Sequence, residues 1–149
     1  LTAITISDEL QLRVIIRRGG GVVADARILL VEDDDLNQML VRTVLARSGD
    51  PMLRSARLVQ AASLAEARAA LASSAVDVVL LDMNLPDGNG LSLAAEVRRT
   101  GPGGPAVVAL TGAGPEQGDA ALAAGCTAVL GKPYQAAQLC AVVCAALSN

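Results

Sequence analysis

The sequence predicts an α/β domain over residues 27–149, built on an open, doubly wound sheet of five parallel strands and preceded by an N-terminal extension over 1–26. Three observations carry that prediction. From residue 27 onward, short apolar runs alternate with amphipathic stretches, the pattern of repeated βα units. The run VDVVLL at 76–81 is nearly continuous in apolar character, which implies burial on both faces and therefore helices on both sides of the sheet. Right-handed crossovers then restrict such a chain to a doubly wound sandwich.

The strands fall at 27–32, 57–62, 76–81, 106–111 and 128–131, with helices at 36–48, 64–73, 91–100, 116–124 and 135–147. In the first helix Leu36, Leu40, Val44 and Ala46 share one side while Asn37, Arg42 and Arg47 share the other, the pattern of an amphipathic surface helix. Gly49, Asp50 and Pro51 stop it. The second helix starts after Ser63, with Glu66 three residues on as a capping box, and turns Leu64, Ala67, Ala70 and Leu71 to the sheet. Residues 1–26 differ: ITI at 4–6 and LQLRVIIRR at 10–18 read as a hairpin around Ser7-Asp8-Glu9. Gly19-Gly20-Gly21 and the small residues after it read as a linker. A chain that begins with Leu1 is expected to be cut from a longer one.

Composition narrows the function. The chain has no Phe, no Trp and one Tyr, so its core is built from Ala, Val and Leu, and stacking platforms for bases are absent. Twelve basic and fifteen acidic residues give a net charge of −3, and no basic stretch exceeds Arg17-Arg18 or Arg98-Arg99, which argues against nucleic-acid binding. The absence of histidine excludes Ser/His/Asp hydrolysis, Cys/His proteolysis, His-ligated zinc and a phosphohistidine on this chain itself. Cys126, Cys140 and Cys144 form no CxxC pair and read as buried small hydrophobes in a reducing compartment. There is no membrane-spanning run and no signal-peptide layout, so the expected location is cytoplasmic, without membrane contact.

Four strands end on polar residues: RILLVEDDD at 27–35, VDVVLLDMNLPDGNG at 76–90, AVVALTG at 106–112 and AVLGKP at 128–133. In a parallel sheet Glu32, Asp33, Asp82, Thr111 and Lys132 emerge together at the carboxyl edge, where open α/β sheets place their sites. Asp82 can attack a phosphoryl group to form an acyl phosphate. Two anions brought to a few ångströms repel by several kcal/mol, and a divalent cation removes that obstacle. Glu32 and Asp33 could hold Mg²⁺ beside Asp82, with a backbone carbonyl and waters completing the octahedron. The Thr111 hydroxyl and the Lys132 ammonium supply donors for the remaining oxygens. Singly, each element has an ordinary reading: acids at a helix N-terminus complement the dipole, as Asp34 or Asp35 does here, Lys132-Pro133 is a turn, and Thr111 caps a helix. Their order at successive strand ends argues for a site.

On these motifs residues 27–147, about four fifths of the chain, resemble a two-component response-regulator receiver domain. The resemblance implies a flavodoxin-like strand order of 2-1-3-4-5 with five helices. It also implies Asp82 as phosphoacceptor, Glu32 and Asp33 as the metal pair for Mg²⁺, Asn84 as a metal ligand through its backbone carbonyl, and Thr111 and Lys132 as phosphoryl-binding residues. Pro86 and Gly90 match the turn after the phosphoacceptor strand, and Lys132-Pro133 matches a bond often cis in the family. Two positions depart from the pattern. The family's switch aromatic, three residues before the Lys, is Val129, so phosphorylation couples weakly or differently to the 106–134 surface. Ala113, two residues after Thr111, is too small and apolar to orient attacking water.

The expected function is a phosphorelay receiver, not a conventional enzyme on its own, that takes phosphate from a histidine kinase or a histidine phosphotransfer protein and passes it on or changes shape. Nothing follows the last helix, so no DNA-binding output domain is expected. Asn37-Gln38 after the acidic cluster resembles the receivers of hybrid sensor histidine kinases, and the hairpin at 4–18, which carries no motif of its own, could be the tail of a kinase ATP-binding domain. Two alternatives stand beside it. One is an interaction domain of the same fold that works without phosphorylation, motivated by Val129. The other is an Asp-nucleophile hydrolase of the haloacid dehalogenase type, which expects an Asp where Asn84 stands.

Overall fold

Alternation of apolar runs and helices produces the predicted sheet: β1 (Arg27–Val31), β2 (Arg57–Ala61), β3 (Val78–Asp82), β4 (Ala106–Thr111) and β5 (Ala128–Gly131). All pairings are parallel and the spatial order is β2-β1-β3-β4-β5, the flavodoxin-like arrangement. The computed structural model describes residues 2–7, 12–16, 22–23, 25–99, 101, 103–112 and 114–148. Ala113 and Gly19-Gly20-Gly21, read above for water access and a linker, lie outside these residues.

Register places alternate residues of each strand on opposite faces. Leu30, Leu80 and Val108 form one row, packed under α1 (Asp35–Ala46) and a later helix, Ala136–Leu147. Val31, Leu81 and Ala109 form the opposite row, under α2 (Leu64–Ser73), α3 (Leu91–Arg99) and α4 (Gly114–Ala124); Ala136–Leu147 is α5. Strand β3 is buried along its whole length, as its apolar run requires. Its fully buried Leu80 and Leu81 have counterparts in Leu29, Leu30, Leu110 and Leu139. Each such side chain contributes roughly 1.5–3 kcal/mol on leaving water, which lets aliphatic packing alone stabilise a core without Phe or Trp.

Several expectations are corrected. Of the side of α1 read as apolar, Val44 packs against the core and the rest does not. Leu36 is 74% exposed, Met39 57% and Leu40 48%, and Ala46 is exposed too, whereas Val41 and Leu45 are buried and Asn37 half-buried. The helix carries two apolar stripes, so periodicity does not choose between them. Its rotation is set by Asp34, whose Oδ1 caps the Leu36 and Asn37 N–H groups, and by Gln38, whose side-chain amide donates to the Glu32 carbonyl. The stop at 49–51 is followed by a helical turn, Pro51–Arg54, capped by Asp50 and burying Met52 and Leu53. Strand β3 begins at Val78 and includes Asp82 itself. The N-terminal residues form the antiparallel pair Thr2–Ser7 and Leu12–Ile16, but Val22–Val23, read as linker, adds a third strand to it.

None of the three cysteines is in a disulfide; Cys126 is buried, and Cys140 and Cys144 are half-buried. Burial pushes the Cys126 thiol up to about 11. Since the thiolate is the reactive form, Cys126 should resist alkylation in the folded chain at mildly alkaline pH while Cys140 reacts. Peptide mass spectrometry of the alkylated chain reads this directly, and early modification of Cys126 contradicts the burial.

Candidate functional site

The parallel register delivers the predicted residues to one edge. Glu32 and Asp33 follow β1, Asp82 ends β3, Thr111 ends β4 and Lys132 follows β5. Asp82 lies opposite Leu110, so Thr111 stands one position nearer the edge on the adjacent strand. Glu32, Asp82 and Thr111 are buried, while Asp33 is exposed. Backbone bonds hold the strand ends: Glu32 N–H donates to the Ala61 carbonyl at 2.9 Å and Lys132 N–H to the Thr111 carbonyl at 2.6 Å. The Lys132-Pro133 bond is cis.

One contact joins the two ends of the domain. Lys132 Nζ lies 3.2 Å from Glu32 Oε2 and 3.7 Å from Asp82 Oδ1. Glu32, Asp33 and Asp82 each offer a carboxylate oxygen, and these atoms lie within 4.8 Å of one another. Asn84 N–H donates to Asp82 Oδ1 at 3.2 Å, which fixes the carboxylate from the loop side. Gly90 explains the tight approach of α3 to the end of β3: a Cβ there would stand 3.0 Å from the Asp82 carbonyl oxygen and 3.1 Å from Leu81 Cγ.

Burial raises the Glu32 carboxyl above its ordinary range, and the Asp82 charge adds to it; the Asp34 N–H and the Lys132 ammonium work against the rise. For Lys132 burial opposes the charged form, but the Asp82 and Glu32 carboxylates outweigh it and the net shift is upward. The cluster sets three carboxylates against one ammonium, which pairs with Glu32 and Asp82, so it is electronegative. Unit charges about 4 Å apart interact by about 4 kcal/mol at an effective dielectric of about 20, enough to favour a divalent cation over none. Hard carboxylate and carbonyl donors are the set that Mg²⁺ prefers.

Two residues near this site make contacts that were missed from the sequence. Gln38 bonds the Glu32 carbonyl through its side-chain amide. Asp87, which reads as a turn residue between Pro86 and Gly88, accepts from the Leu64 and Ala65 N–H groups of α2. No local pattern signals a cap supplied from so far along the chain. Val129 lies half-buried on β5, packed with the α2–α4 side of the core.

Residues 28–144 match the family model described as the response regulator receiver domain. Over 109 residues, 72% of this chain, the sequence is 36% identical to a protein-glutamate methylesterase/protein-glutamine glutaminase of Agrobacterium fabrum, of whose length the chain spans 30%. Among solved structures, the receiver domain of NtrX from Brucella abortus is 29% identical with a TM-score of 0.70, covering 80% of this chain and 97% of its own. A CheY-like response regulator receiver domain protein from Methanospirillum hungatei is 26% identical with a TM-score of 0.71, covering 82% and 93%.

Proposed function

The chain belongs to the response regulator receiver domain family, and on that premise we propose that Asp82 accepts a phosphoryl group from a phosphohistidine with the aid of Mg²⁺. Receiver domains generally bind Mg²⁺ in an acidic pocket. Glu32, Asp33, Asp82 and the Asn84 backbone carbonyl would hold it here, and it would neutralise charge between carboxylate and phosphoryl oxygen. A carboxylate oxygen of Asp82 attacks phosphorus, the P–N bond breaks, and the departing imidazole nitrogen takes up a proton. The Asn84 N–H presents Asp82 to that attack, and Lys132 and Thr111 donate to the phosphoryl oxygens. The observation that carries this reading is the Lys132 ammonium set between Glu32 and Asp82. Incubation with acetyl phosphate and Mg²⁺ should yield one acid-labile and alkali-labile phosphate per chain. A wild-type chain that binds Mg²⁺ and stays unlabelled supports the phosphorylation-independent interaction domain instead.

The donor is a histidine kinase or a histidine phosphotransfer protein. Leu36, Met39 and Leu40 form an exposed apolar patch on α1, on the helix that begins beside Glu32 and Asp33. Such patches favour protein contact, and a donor must cover this rim to bring its imbedded imidazole to Asp82. Met39→Asp should therefore slow transfer from a protein donor by about tenfold, the effect of a little over 1 kcal/mol, while leaving acetyl phosphate labelling unchanged. Equal slowing with both donors would place the fault in the site and not in docking. Asn37-Gln38 and the N-terminal strands support the further step that the domain works in the cytoplasm as the receiver of a hybrid sensor histidine kinase.

A further inference from the structure

Asp87 is outside the residues assigned above, yet its carboxylate makes two tertiary hydrogen bonds. Oδ1 accepts from Leu64 N–H at 2.8 Å and Oδ2 from Ala65 N–H at 3.1 Å, donors 23 and 22 positions earlier in the chain. Both belong to the first turn of α2. The next N–H of that turn, Glu66, is bonded by the local cap Ser63 Oγ at 3.2 Å. A helix start that needs partners for its free N–H groups is thus served by one local and one remote residue.

The same turn is fastened on its apolar side. Leu85 is buried in the core, and Gly88, at φ +147°, leaves room for Leu64: a Cβ there would stand 3.2 Å from Leu64 Cδ1. Across the turn Leu85 pairs with Gly88 and Asn84 with Asn89. Asn84 in turn donates its N–H to Asp82 Oδ1. A continuous set of bonds therefore runs from the start of α2 through Asp87 and the paired turn to the Asp82 carboxylate. The Leu64 N–H, the main cause, holds the Asp87 carboxyl below its ordinary range.

We propose that Asp87 is a positioning residue for the site: by tying the 84–89 turn to α2 it fixes the Asn84 N–H that orients Asp82 and the Asn84 backbone carbonyl that would help hold the cation. This inference rests on the metal and phosphoacceptor roles proposed above. A residue that only capped α2 would affect the helix and leave the cation site alone.

Mg²⁺ titration calorimetry on the full chain separates the two. Asp87→Ala should weaken Mg²⁺ binding by about tenfold, in the range of other residues that orient metal ligands from behind. Labelling by acetyl phosphate should fall at low Mg²⁺ and recover at saturating Mg²⁺. Asp87→Asn, which keeps one carbonyl acceptor, should fall between. Ser63→Ala removes the other cap of the same helix and should leave Mg²⁺ affinity at the wild-type value while amide exchange at the start of α2 speeds up. Wild-type affinity in Asp87→Ala, or equal weakening in Ser63→Ala, overturns the proposal while leaving the receiver site standing. If Asp87→Ala does not fold, wild-type affinity in Asp87→Asn overturns it by the same criterion. A wild-type chain that binds no Mg²⁺ overturns both.

Discussion

Asp82→Asn is expected to reduce phosphate incorporation from acetyl phosphate to the background of the reagent. The amide is nearly the same size as the carboxylate and can still accept from Asn84 N–H, so the end of β3 keeps its geometry. What is lost is the anionic oxygen that forms the acyl phosphate. The substitution also removes one negative charge from a buried cluster whose charge helps raise the Glu32 carboxyl. The variant should therefore fold with a Tm no lower than wild type, and its Glu32 should titrate lower. Mass spectrometry of the intact chain checks the first expectation and carboxyl-resolved NMR titration the last. Phosphate retained by the variant at the wild-type level would move the phosphoacceptor away from residue 82.

Lys132→Ala should retain Mg²⁺ affinity, lose the phosphate-dependent change across 106–134, and slow labelling by about 10²-fold, the usual effect of removing one charged donor from a developing oxyanion. Affinity should not fall because the ammonium, paired with Glu32 and Asp82, is not itself a ligand of the cation. Calorimetry with Mg²⁺ and amide chemical-shift changes on phosphorylation are the readouts; a full shift pattern in the variant would remove Lys132 from signal transmission. There is also a pH consequence. The Lys132 pKa is raised in the folded chain above its ordinary 10.5, through the two carboxylates. Its contribution to stability is then fully present below 10.5 and disappears as pH rises through the higher folded value. The alkaline limb of the stability curve should be shallower in Lys132→Ala than in wild type.

The strands show how much of the fold was legible. RILLV, VVLL and AVVAL are apolar over lengths that suit buried strands, and their ends are marked by charged or hydroxyl residues, so the sheet and its polar edge followed from short-range pattern. The alanine-rich α2 was equally plain, since Leu64 and Ala67 fall on one side and Ser63 stands before them. The short turn Pro51–Arg54 was not legible: Gly49, Asp50 and Pro51 signal a stop, and Asp50 and Pro51 serve equally well as the cap and first residue of a new helix. The packing side of α1 was ambiguous because Leu36, Met39 and Leu40 compete with Val41, Val44 and Leu45 for the same reading.

By itself the sequence determined the doubly wound sheet and the arrival of Glu32, Asp33, Asp82, Thr111 and Lys132 at one edge. Strand length is encoded in runs of neighbouring residues, and parallel strands joined by right-handed crossovers must end on the same side. Tertiary structure alone decided that the Lys132 ammonium sits between Glu32 and Asp82, that α1 leaves its Leu-Met-Leu patch in solvent, and that Asp87 caps α2. Each of these is a distance or rotation between segments far apart in sequence, and such quantities are set by packing of the whole domain and not by any local run of side chains.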